Sequence, residues 1–185
     1  MRWERFFADL EAQAAAAEAR DFEMEVAERS RVEQGRLRLA DRLRSAEGHP
    51  VALSVRGGGT VSGTLRRVGA DWLLLATASD SEILVSLGAV GAVSGLGAAT
   101  DPARDRGLVD AALDLRKALR GLATDRAGVR LVLTDGTSIE GTLDRTGADY
   151  VEVAEHPLDE PRRYGAVRSV RTVVIDAIAT VTRGP

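Results

Sequence analysis

The chain contains no cysteine, which excludes disulfide bonds, thiolate nucleophiles and cysteine-based metal sites. No apolar run approaches the roughly 20 residues that a membrane-spanning helix needs. Residues 1–5 lack the apolar stretch that begins a secretory signal. We therefore expect a cytoplasmic protein with no membrane association.

An excess of positive charge is also missing. The 25 Lys and Arg residues stand against 28 Asp and Glu, for a formal net charge of −3, so no global positive field attracts nucleic acid or anionic membrane. The two histidines, His49 and His156, each precede a proline in a predicted loop and are expected to be solvated. No set of three or four convergent metal ligands is present. The sequence predicts no catalytic residue, no metal and no cofactor, and hence no enzyme.

The strongest positive signal is an internal repeat. Val51–Ala76 aligns with Val129–Ala154 at a uniform shift of 78, with 11 of 26 positions identical and no gap. A later match, Leu87–Ser94 with Ile175–Thr182, has a shift of 88, so the second copy holds ten extra residues. These extra residues fall within 155–169, a stretch with two prolines that is typical of a loop.

Each copy alternates apolar and polar residues with period two, which predicts short strands. Turns are indicated by Gly57–Gly59 in the first copy and by Asp135-Gly136 in the second. A glycine in the middle of the second strand, Gly63 or Gly141, predicts a bend. About five short strands with such a bend favour a small closed barrel, which leaves no exposed edge.

On these residues each copy resembles the Sm-like (LSm/Hfq-like) family. The first Sm motif corresponds to the stretch that begins at Val129, and the second motif to Val173–Val181. The resemblance implies a five-stranded SH3-like barrel that pairs its fourth strand with the fifth strand of a neighbour, and it implies binding of single-stranded, uridine-rich RNA. The family's base-binding positions carry other residues here: Val174-Ile175-Asp176 replace the Tyr-Lys-His triplet, and Asp149 replaces the stacking aromatic.

Helices are predicted ahead of both copies. Residues 3–46 contain no proline, and apolar side chains recur in them at helical spacing, which predicts a long helix or a helical hairpin. Three roles stay open for it: capping the first barrel, pairing with itself in a hairpin or dimer, or gripping nucleic acid with the basic face of 29–44. A second helix is predicted from Asp101 to Thr124, with Asp101 as its cap.

The predicted fold is therefore α+β and mainly β, with two small five-stranded Sm-like barrels, each preceded by a helix, the first helix long. The expected domains are a helical 1–47, a first barrel over 48–97, a connecting helix over 98–125 and a second barrel over 126–185. Trp72 lies on the outward side of the first barrel, where we expect it to pack against the N-terminal helix. Asp71 and Asp149 are expected to bond the backbone of their own turns.

Function is expected to be binding. The resemblance favours RNA or single-stranded nucleic acid, whereas the acidic balance favours a protein-interaction or assembly scaffold. Arginine beside an aromatic residue is typical of single-stranded nucleic-acid contacts. The candidate nucleic-acid-binding residues are Arg66, Arg67, Arg145, Arg162, Arg163, Tyr164, Arg168 and Arg171. A homo-oligomer is expected through barrel edges or the N-terminal helix, either as a ring of three chains or as a dimer.

Overall fold

The computed structural model describes residues 7, 22, 24–25, 28–32, 35, 37–79, 81–97, 113–158 and 167–184. The chain divides into two compact units, Met1–Arg38 and Leu39–Pro185. The elements of the second unit are α1 (Leu39–Ser45), β1 (Pro50–Val55), β2 (Gly59–Val68), β3 (Trp72–Ala76), β4 (Glu82–Ser86), a 3-10 turn (Leu87–Ala89), β5 (Val90–Ser94), α2 (Leu115–Thr124), β6 (Gly128–Leu133), β7 (Ser138–Thr146), β8 (Tyr150–Glu155), β9 (Ser169–Val174), a second 3-10 turn (Ile175–Ala177) and β10 (Ile178–Arg183). Within the described residues, no helix has the length and apolar character needed to cross a membrane.

The first unit carries helical residues, but the long N-terminal helix predicted over 1–47 is wrong. Helical conformation is interrupted at Leu37 and Arg38, and α1 then runs for only seven residues. In the first unit, Arg29 pairs with Glu25 one turn earlier at 2.7 Å, the usual spacing of a surface helix pair. The break at Leu37 leaves α1 as a separate short helix that buries Leu43 completely.

The strands form one open antiparallel sheet, so the prediction of two closed five-stranded barrels is wrong. Strand order is β5-β1-β2-β3-β4-β10-β6-β7-β8-β9. The period-two pattern predicts strands but does not specify whether they close into a barrel. In the structure they do not close, because β4 of the first half pairs with β10 of the second half. That pairing merges the halves into a ten-stranded sheet that ends in the open edges β5 and β9.

Both halves nevertheless use the same local contacts. The N–H of Gly69 donates to the carbonyl of Trp72 at 2.8 Å, and its equivalent Gly147 donates to Tyr150 at 2.8 Å. Further equivalent bonds are Leu87 N–H to Asp71 O and Ile175 N–H to Asp149 O, Arg56 N–H to Ala89 O and Thr134 N–H to Ala177 O. The shifts of 78 and 88 seen in the sequence therefore hold at the level of individual hydrogen bonds.

The mid-strand glycines permit a close approach of neighbouring strands. A Cβ at Gly63 would overlap the carbonyl oxygen of Ala76, and one at Gly141 would overlap that of Ala154. Just beyond each glycine the pairing shifts by one residue, at Leu65 in the first half and Leu143 in the second. Such bulges bend a strand, and they lie two residues beyond the glycines at which the sequence predicts a bend.

Helix α2 begins later than the sequence predicts. Leu113 and Asp114 are not helical, and the Asp114 side chain caps the helix by accepting the N–H of Lys117 at 2.8 Å. The predicted cap Asp101 lies outside the described residues. Leu115 and Leu119 are 2% and 0% exposed, so the apolar face of α2 enters the core of the second half.

Candidate functional site

The structure distributes the predicted arginines over several strands. Arg66 and Arg67 lie exposed near the end of β2, and Arg145, the equivalent of Arg67, lies exposed near the end of β7. Arg168 immediately precedes the edge strand β9 and Arg171 lies within it. The predicted Arg162, Arg163 and Tyr164 lie outside the described residues. No single patch therefore contains all the described candidates.

Two of these arginines already have acidic partners across the sheet. Arg171 on β9 pairs with Glu155 on β8, Nε to Oε1 at 2.5 Å. Arg145 on β7 faces Glu152 on β8, Nε to Oε2 at 3.9 Å. These carboxylates reduce the positive charge that a phosphate backbone would meet.

The two paired arginines also project to opposite faces of the sheet. Arg145 stands opposite Glu152 in the β7–β8 register, whereas Arg171 stands opposite Val153 in the β8–β9 register. Successive residues of a strand point to opposite faces. Since Glu152 and Val153 are successive, Arg145 and Arg171 cannot contact one ligand on one face.

The seam between the halves is a short strand pairing that is reinforced by shared side-chain packing. Three residue pairs join β10 to β4, with Val181 opposite Leu84 at the centre. Trp72 and Leu84 belong to the first half by sequence but pack in the core of the second, whereas Ala179 of β10 packs in the core of the first. Each half thus supplies side chains to the core of the other, which makes the seam an internal interface.

The turn before β3 reinforces this seam by holding the start of α2. Asp71 accepts the N–H of Leu115 at 2.6 Å, and the indole N–H of Trp72 donates to the carbonyl of Leu113 at 2.9 Å. Trp72, expected to pack against the N-terminal helix, is 6% exposed and packs beside Leu115 instead. Asp71, expected to bond the backbone of its own turn, accepts a hydrogen bond from a residue 44 positions away. No pattern in the sequence indicates this partner.

The electrostatics of Asp71 follow from the same contact. Burial raises the pKa of Asp71, and the backbone N–H of Leu115 lowers it in part. The negative charges of Asp114 and Asp176 raise the pKa further. Asp71 therefore acts as a hydrogen-bond acceptor in an acidic neighbourhood rather than as a partner of a basic residue.

The two open edges carry few of the features that usually protect an edge. Natural sheets block their edges with charges, proline or bulges. Strand β5, Val90-Gly-Ala-Val-Ser94, has no charge and no proline, although its pairing with β1 is bulged at Gly91. Strand β9 has one charge, Arg171, which is already paired with Glu155. Among the described residues, β5 pairs with β1 alone and β9 with β8 alone. Both edges are therefore suited to accept another strand.

The turn at Asp149 and Tyr150 is the counterpart of the Asp71 and Trp72 turn. Within the described part of the chain, no helix is bonded to it. Tyr150 is 37% exposed and its register partner Val174 is 55% exposed, whereas the equivalent pair Trp72 and Ser86 is 6% and 9% exposed. The same position is covered in one half and open in the other.

His156, expected to be solvated, is buried with 5% exposure. Its Nδ1 donates to the carbonyl of Pro157 at 2.8 Å, and in the neutral ring Nε2 accepts the hydroxyl of Thr142 at 2.8 Å. Thr142 is 2% exposed, so this pair joins β7 to the loop after β8. His49 is exposed, as expected. Among the residues described, no group of three or more His, Asp or Glu is arranged to hold a metal ion.

In comparisons with known proteins, no family model matches the chain. No curated protein matches it significantly either.

Proposed function

We propose that this chain is a non-enzymatic assembly module that adds strands at the edges of its sheet, with a further copy of itself as the partner. The observation that carries the proposal is the β4–β10 seam. There the fourth strand of one half pairs with the fifth strand of the other. The open edges present the same two strands again: β5 is the fifth strand of the first half and β9 is the fourth strand of the second.

The seam also specifies a register for the second contact. At the seam Val85, Leu84 and Ile83 stand opposite Thr180, Val181 and Thr182. The shift of 88 between the two halves gives the equivalent residues for the second contact. They are Val173, Thr172 and Arg171, opposite Ala92, Val93 and Ser94 of the next copy. Such a contact joins different surfaces, so repetition yields a ring or an open chain of subunits.

Cysteine cross-linking tests this proposal, because the chain has no cysteine of its own. One sample carries Val93→Cys and a second carries Thr172→Cys. Directly opposed residues of antiparallel strands lie within about 5.5 Å, which permits a disulfide. The mixture should give covalent dimers on oxidation, and each variant alone should give none. Cross-linking of either variant by itself would show symmetric edge pairing and overturn the proposed register.

Mass measurement by light scattering tests self-assembly independently. Ala92→Lys places a charge on the β5 edge and should shift the population towards monomer. Ser62→Lys on the interior strand β2, also exposed, is the matched control and should leave the mass unchanged. A wild-type protein that stays monomeric at every concentration would overturn the proposal.

We propose binding of single-stranded nucleic acid as the second candidate function, supported by the position of Arg168 and Arg171 at the open β9 edge. In sequence they follow Arg162, Arg163 and Tyr164 closely. Fluorescence anisotropy with labelled oligo-U, oligo-A and single-stranded DNA, at low and near-physiological salt, tests this candidate. Glu155→Gln removes the carboxylate that pairs with Arg171 and should tighten binding, whereas Arg171→Gln should weaken it. No binding at low salt would exclude this function.

A further inference from the structure

We propose that the exposed Tyr150–Val174 pair is a docking surface for helix α1 of a second copy, which packs Leu39 against it. This inference rests on the proposed assembly and adds a contact that strand pairing alone does not supply. In this contact, the side chains of Leu39, Tyr150 and Val174 stabilise the pairing of the two edge strands.

The three residue pairs of the seam make a short ladder. Isolated two-stranded pairing is marginal in water. Inside the chain the seam gains further contacts, because Trp72 and Leu84 are buried with Leu115 of α2 in one core. A pairing between copies over the same three positions needs an equivalent contact.

Helices α1 and α2 share one feature of burial, a leucine buried at the fifth position, and differ at their first residue. Each begins with a leucine, and each completely buries a leucine four positions later, Leu43 in α1 and Leu119 in α2. Leu115, the first residue of α2, is 2% exposed because the Trp72 turn covers it. Leu39, the first residue of α1, is 42% exposed.

An exposed apolar surface that could cover Leu39 lies at the β9 edge of the sheet. Tyr150 and Val174 are register partners at the β9 edge and occupy the positions of Trp72 and Ser86. If β5 of a second copy continues the sheet at β9 as β10 does at β4, its α1 meets Tyr150 where α2 meets Trp72. Both exposed groups then become buried together, and aromatic anchors of this kind carry much of the energy of an interface.

The first experiment measures self-association by analytical ultracentrifugation. Tyr150→Ser and Leu39→Ser should each raise the dissociation constant about tenfold or more, which corresponds to a loss of at least about 1.4 kcal/mol for a buried anchor. Val170→Ser is the matched control. Val170 lies on β9 and is 60% exposed, and its equivalent at the seam, Glu82, is exposed as well. Circular dichroism confirms that each variant is folded.

The second experiment separates this docking surface from the strand pairing. A mixture of Leu39→Cys and Tyr150→Cys proteins, treated with a short bismaleimide, should give mixed covalent dimers that neither variant gives alone. Three results together would overturn the docking surface and leave the assembly proposal intact. Val93→Cys and Thr172→Cys would cross-link, positions 39 and 150 would not, and Tyr150→Ser would associate as strongly as the wild type. A monomer that gives no cross-link at either pair would overturn both.

Discussion

The indole N–H of Trp72 donates to the carbonyl of Leu113 at 2.9 Å, across 41 residues of sequence. The same carbonyl accepts the backbone N–H of Ala70 at 3.1 Å. One peptide group ahead of α2 is thus held twice by the turn before β3. Through this contact the first half of the sheet positions the helix that fills the core of the second half.

Removal of the indole N–H should loosen this link. Trp72→Phe keeps a buried ring but loses the donor to Leu113, and a typical hydrogen bond contributes about 1 kcal/mol to stability. Trp72→Ala also removes the buried ring and should cost about 3–5 kcal/mol. Urea unfolding followed by circular dichroism gives both free energies. Equal losses in the two variants would show that the hydrogen bond alone accounts for the contribution of Trp72.

Gly57 should tolerate no side chain, because its turn lies against the second half. It has φ +73°, and a Cβ there would overlap the carbonyl oxygen of Leu133 and lie 2.8 Å from the nitrogen of Gly136. Gly59 has φ +68° with nothing within 4 Å of its Cβ position, which makes it a matched control for backbone strain. Gly59→Ala should cost about 1–2 kcal/mol, and Gly57→Ala clearly more. Equal losses in urea unfolding would contradict a tight contact between the two turns.

Asp71 should make the protein less stable as pH rises above the acidic range. Burial raises its pKa in the folded state, so its contribution to stability is complete below the unfolded pKa of about 3.9 and is lost as pH rises through the folded pKa. Asp71→Asn keeps an acceptor for Leu115 and removes the charge. The stability of the variant relative to wild type should therefore increase between about pH 4 and pH 7, as measured by urea unfolding at several pH values.

Asp135 provides the contrasting case. Its pKa is lowered by the backbone N–H of Thr137, which donates to Oδ1 at 2.8 Å. That stabilisation is present above the unfolded pKa and is lost as pH falls through the folded pKa. Asp135→Asn should therefore lose stability relative to wild type at neutral pH and recover it in acid. A parallel trend for the Asp71 and Asp135 variants would contradict one of the two assignments, and the direction of the trend would show which.

The buried pair of Thr142 and His156 should be coupled. Thr142→Val removes the hydroxyl donor and leaves the buried Nε2 of His156 without its partner, at a cost of about 1–3 kcal/mol. His156→Leu should cost a similar amount, since it leaves the Thr142 hydroxyl unpaired. The double variant should cost less than the sum of the two. Additive losses in a double-mutant cycle of urea unfolding would show that the two side chains do not interact.

Much of the local structure followed from the sequence. In the third strand of each half, alternate apolar residues share one face, Leu73 and Leu75 in β3 and Val151 and Val153 in β8, and all four are fully buried. The repeat at shifts of 78 and 88 predicted the equivalent strands and turns, because the same residues make the same short-range hydrogen bonds in each half. Gly63 and Gly141, which the sequence predicts to mark bends, lie where a side chain would overlap the next strand, and a bulge follows each of them.

What the sequence determined was therefore local: strand periodicity, turn positions and the equivalence of the two halves. Tertiary structure decided how the edges are used. Alternation does not specify whether an edge strand closes on its own half or pairs with another, and here β4 pairs with β10. The tertiary structure also decided that Trp72 and His156 are buried and that Arg171 is paired with Glu155. The residues that contact these side chains lie far away in sequence or beyond a loop, and a periodic pattern does not predict such contacts.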